Sequence, residues 1–139
     1  MKKCFLLLGF ALLINLGYSQ TTNTEKIIQF LGQEKYEDAA INNPGLIIYL
    51  EAKLQYGYKV VDFNPTRMPN YSILLEVPSK IYGNVSVDEF LVHYEMDSFN
   101  FLNYQYPCKE DENLYFKLGN TGKAIIIYSN EFVNSNSRY

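Results

Sequence analysis

The chain contains one histidine, His93, two cysteines, Cys4 and Cys108, two arginines, Arg67 and Arg138, and no tryptophan. Each scarcity closes a route. A structural zinc site built on several thiolates is ruled out. So is a cluster of guanidinium groups gripping phosphates in bidentate fashion. Basic residues number 12 against 15 acidic ones, a net charge of −3. That balance disfavours nucleic acid and anionic membranes, which reward basic surfaces. No glycine-rich phosphate loop follows a strand, and no G-x-S-x-G elbow, EF-hand spacing or metalloprotease helix occurs. No cofactor is expected.

Long apolar runs are equally scarce, with one exception at the start. Met1-Lys2-Lys3 is followed by an apolar run from Phe5 to Leu16, broken by Gly9 and Asn15, and then by Gly17-Tyr18-Ser19. A positive start, a short apolar region and small residues one and three positions before a cut make a secretory signal peptide. Spanning a bilayer takes about 20 apolar residues, more than this run provides. Cleavage is expected after Ser19, giving a signal peptide over 1–19 and a single small α+β domain over 20–139. Cys4 lies upstream of the cut, so no lipid anchor is expected, and Cys108 would be left without a disulfide partner. The mature protein is thus expected in the periplasm or outside the cell, with no membrane span.

Aromatic residues, in contrast, are plentiful. The chain has 13 tyrosines and 9 phenylalanines. Tyrosine packs its ring while its hydroxyl reaches water or a partner, which suits a half-exposed sheet or a binding surface, although β propensity alone also enriches it.

Thr22 and Glu25 form a capping box ahead of Ile27 and Ile28, and a second helical stretch runs through EKYEDAA. After NNPG, the apolar stripe Leu46, Ile47, Leu50 and Leu54 predicts a third helix stopped by Gly57. The period then changes. YKVVDF and YSILLEV read as strands, with Ile73, Leu75 and Val77 on the better-buried face of the second. Ser86 and Glu89 open a further helix, FNFLNYQY reads as another strand, and LYFKL and KAIIIYS form a hairpin. Because AIIIY is apolar at every position, it belongs inside the sheet. The tail NSNSRY is expected to fray. The class is therefore α+β: N-terminal helices, then a mostly antiparallel sheet of about five strands with one further helix packed on it.

Chemistry has few places to sit. Glu89, His93 and Asp97 are spaced one helical turn apart, a row that favours charged histidine and offers a weak one-sided metal site. Cys108 is the weak candidate nucleophile for His93, though Glu110, Asp111 and Glu112 oppose its thiolate. The leading expectation is a non-catalytic binding or interaction module with an unknown protein or small-molecule partner. Tyr58, Arg67, Tyr71, Tyr104 and Tyr106, at strand ends and loops, are its candidate surface contacts. The alternatives are a small hydrolase or metal-dependent enzyme built on His93 and Cys108, and an inhibitor or immunity-like protein acting through an acidic surface.

Overall fold

A computed structural model describes residues 21–137. The expected signal peptide and its cut lie outside the described residues. Three helices open the domain: α1 (Asn23–Leu31), α2 (Gln33–Asn42) and α3 (Pro44–Tyr56). The Thr22 hydroxyl accepts from Glu25 N, and the Glu25 carboxylate accepts from Thr22 N at 2.8 Å, so the capping box is complete. Gly32, at φ +88°, makes the turn into α2, a conformation that side chains with a Cβ rarely adopt. Pro44 occupies the first turn of α3, where its missing N–H costs nothing. Along α3, Leu50 is buried, and Leu46, Ile47 and Leu54 pack partly buried on the domain, as the stripe predicts.

The strands are β1 (Tyr58–Asp62), β2 (Ser72–Leu74), β3 (Glu76–Ser79), β4 (Gly83–Ser86), β5 (Leu114–Leu118) and β6 (Lys123–Ile127). Four of them form one mixed sheet in the order β1-β6-β5-β2. Antiparallel pairing joins β6 to β1 and to β5, while β2 runs parallel to β5. The apolar AIIIY run does lie inside the sheet as β6, with Ala124, Ile125 and Ile127 buried. A separate antiparallel hairpin joins β3 and β4. Helix α4 (Val87–Tyr94) follows directly, and α5 (Asn130–Asn136) ends the described chain against α3.

The α+β class is as expected, and three local readings are corrected. YSILLEV is two strands, not one. The Leu74 carbonyl accepts from Gly119 N and the Leu75 carbonyl from Val87 N, so the chain leaves the main sheet between them. This shifts the alternation: Ile73 and Leu75 are 58% and 72% exposed, whereas Leu74 and Val77 point inward. FNFLNYQY is not a regular strand either. Asn100, only 2% exposed, accepts from Leu102 N and donates to the Lys26 carbonyl at 2.8 Å, pinning a 3-10 turn at Phe101–Asn103 to α1. Its sole strand-like pairing among the described residues is a bridge from Tyr104 to Ser79. Finally, the first half of the tail, residues 134–136, belongs to α5, because Ser129 caps the helix and Val133 is buried, while its last two positions lie outside the described residues.

The apolar interior falls into two clusters. The larger joins the sheet, α4 and the aromatic turn through Phe90, Phe99, Phe101, Tyr104, Phe116 and Ile125. The smaller joins the N-terminal helices to the same turn through Ile27, Leu50 and Leu102. Phe101 and Leu102 are neighbours in sequence yet belong to different clusters, so the 3-10 turn marks the seam.

Candidate ligand-binding cleft

A cleft of about 420 Å³ opens along that seam. Its volume falls within the roughly 300–1,000 Å³ typical of small-molecule sites. The helices contribute Phe30, Tyr49, Leu50 and Lys53, and the aromatic turn contributes Phe101 and Leu102. Tyr104, Gln105, Tyr106 and Cys108 continue the wall, β6 supplies Ile127, and Lys80 reaches in from the β3–β4 turn.

Packing fixes the aromatic wall. Tyr106 stacks on Phe101, with centroids 5.2 Å apart, and Tyr58 stacks on the same Phe101 at 4.0 Å. Burial, followed by the nearby Tyr94, pushes the Tyr58 phenol up to about 12. The Tyr106 phenol is pushed above its ordinary value by burial, then by Tyr104 and Tyr58. Its hydroxyl is buried and has no hydrogen-bond partner among the described protein groups. A buried polar group in that condition costs about 1–3 kcal/mol, so a group that bonds it gains that margin. Two ammonium groups sit at the aromatic wall: Lys80 Nζ is 4.2 Å from the Phe30 ring centroid, and Lys53 Nζ is 5.5 Å from that of Tyr49.

The expected surface contacts divide accordingly. Tyr104 and Tyr106 line the cleft and Tyr58 supports it from behind Phe101. Tyr104 is not a surface contact, because its ring is buried against Phe90 and Phe99 and it is only 7% exposed. Arg67 and Tyr71 lie elsewhere: Arg67 lines a hollow of about 380 Å³ with Phe63 and Met68, and Tyr71 packs edge-on to Phe63 at 4.8 Å.

His93 and Cys108 are not brought together as an acid–base pair. His93 Nδ1 lies 2.7 Å from the Tyr104 hydroxyl, and Nε2 is 3.8 Å from a Glu89 oxygen. Burial, then Tyr82 and Glu89, push the Tyr104 phenol up to about 12. It therefore keeps its proton, and the arrangement satisfying all three groups has Tyr104 donating to Nδ1 with Nε2–H facing Glu89. The Cys108 thiol instead meets Asn130 Oδ1 at 3.4 Å and the Tyr128 carbonyl at 3.5 Å. His93 and Cys108 line different hollows, with Tyr104 part of both walls.

The proposed metal row is also broken. Helix α4 ends at Tyr94, so Asp97 is not a turn above His93 on the same helix. No group of three or more His, Cys, Asp or Glu side chains among the described residues is placed to hold a metal ion. Ser86 does cap α4 by accepting from Glu89 N.

No known protein family, curated protein or solved structure matches this chain. The cleft itself is therefore the source of the functional reading. Sequence reasoning missed Phe30, Tyr49, Lys53, Lys80 and Gln105. One local signal was present: Tyr49 and Lys53 are one helical turn apart and share a face of α3. Nothing local pointed to Lys80.

Proposed function

We propose that the protein is an exported, non-catalytic binding module that holds a small molecule in the cleft between its helices and its aromatic core. The observation carrying this reading is a space of about 420 Å³ walled by Phe30, Tyr49, Phe101, Tyr104 and Tyr106 and flanked by Lys53 and Lys80. Apolar walls with a few fixed polar groups are the usual composition of a ligand site. Export is supported by the charged, short-apolar and small-residue pattern of residues 1–19.

The Glu89–His93–Tyr104 contacts favour a structural strut over a catalytic centre. A phenol held at about 12 is a poor nucleophile at neutral pH, and both histidine nitrogens face protein groups.

The test is thermal melting of the protein with a panel of small neutral, acidic and basic aromatic compounds, alongside Gln105→Trp. Gln105 is an exposed side chain on the cleft wall, so an indole there obstructs the cleft without entering the core. The reading predicts that at least one compound raises the melting temperature and that Gln105→Trp abolishes the rise while melting normally by itself. Compounds that stabilise both proteins equally would place binding elsewhere.

A further inference from the structure

We infer that the ligand of this cleft is a small apolar carboxylate, its carboxylate set between Lys53 and Lys80 and its body against Phe101, Leu102 and Ile127. The inference rests on the ligand-binding reading and adds the ligand's charge.

In a chain where acidic residues outnumber basic ones, the only charged side chains on the cleft wall among the described residues are two lysines. Among the described residues, Lys109 and Lys123 are neutralised by Glu112 at 2.8 Å and Asp62 at 2.6 Å. Lys53 and Lys80, like Lys26, Lys35, Lys59 and Lys117, have no carboxylate within 4.0 Å among the described residues. An anion entering the cleft meets positive charge without displacing an existing partner.

Lys53 comes from α3 and Lys80 from the turn after β3, so two separate elements bring their ammonium groups to one cleft. Each ammonium lies beside an aromatic ring that also lines it. Such contacts hold a lysine head near an apolar surface while leaving its N–H donors for another acceptor.

Among the described residues no arginine lines the cleft, so an anion there is held by point-charge ammonium groups and the apolar wall sets the rest of the ligand's chemistry. Two ammonium groups above an apolar wall suit a single carboxylate on a hydrophobic body. The small volume fits a free molecule of this kind.

Calorimetric titration with phenylbutyrate and with phenylbutanol, its neutral counterpart, tests the inference at neutral pH. Both probes are run on the unaltered protein, on Lys53→Met, on Lys80→Met and on the double variant. Methionine keeps an unbranched apolar stem and removes only the charged head. The acid is expected to bind about tenfold or more tighter than the alcohol, each single variant to lose several-fold for the acid alone, and the double variant to equalise the two. Added salt should weaken the acid more than the alcohol. Equal affinity for both probes in the unaltered protein overturns the carboxylate assignment but leaves the ligand-binding reading standing. A preference for the acid that survives the double variant also overturns it. Binding of neither probe counts against both. Unchanged melting temperatures of the lysine variants identify any loss as a binding effect.

Discussion

Tyr106 stacks on Phe101 with planes only 12° apart, and this contact fixes the phenol so that its hydroxyl faces no protein acceptor. Removing that hydroxyl should therefore cost no stability. Tyr106→Phe is expected to leave the free energy of unfolding unchanged or to raise it by up to about 3 kcal/mol, because no protein hydrogen bond is lost. Urea denaturation measures this. A loss larger than about 1 kcal/mol would mean that the hydroxyl is well bonded in the free protein.

Asn100 ties the aromatic turn to α1 through the Lys26 carbonyl and the Leu102 amide. Asn100→Ala leaves the buried Leu102 amide and the half-buried Lys26 carbonyl without this partner and should destabilise by about 1–3 kcal/mol. Because the turn forms the seam, the variant should also loosen the cleft. Hydrogen exchange would report this as faster exchange at Leu102 and across α1, while β6 stays protected.

Gly57 joins α3 to β1, and its amide donates to the Lys53 carbonyl at 2.9 Å. A Cβ at this position would collide with that carbonyl and lie 3.0 Å from Lys53 Cγ. Overpacking of this kind costs about 1–3 kcal/mol, so Gly57→Ala should lower the urea midpoint accordingly. A neutral outcome would show that the end of α3 shifts freely.

Alkaline pH should unfold the domain through its interior phenols. Tyr58 and Tyr104 are raised from 10.0 to about 12, chiefly by burial. The unfolded chain thus releases protons that the folded one retains. Their contribution to stability is fully present below pH 10 and is lost as pH rises from 10 towards 12. Denaturation midpoints measured across that range should fall steadily. A constant midpoint would contradict the burial of these rings.

Elements governed by local chemistry were legible in the sequence. Thr22 with Glu25 marked a helix start, Pro44 and Gly57 bounded α3, and the unbroken apolar run of β6 announced an interior strand. Elements governed by tertiary contacts were not. The break at Leu75 depends on bonds to Gly119 and Val87, and the turn at Phe101 depends on Asn100 reaching α1. An alternating apolar pattern cannot distinguish one strand from two that part company mid-run. The cleft was illegible for the same reason: Phe30, Lys53, Lys80 and Tyr106 come from four separate segments. Of the tyrosines singled out as surface contacts, Tyr104 and Tyr106 instead line the cleft.

The central claim is that a small apolar anion occupies the seam between the helices and the aromatic core. Its most direct test is the two-dimensional amide NMR spectrum of the protein recorded as phenylbutyrate is added. The account predicts saturable shifts concentrated at Leu50, Lys53, Lys80, Leu102 and Tyr106, which together surround the cleft. Saturation with the largest shifts around Phe63 and Arg67, or no shifts at all, would contradict it.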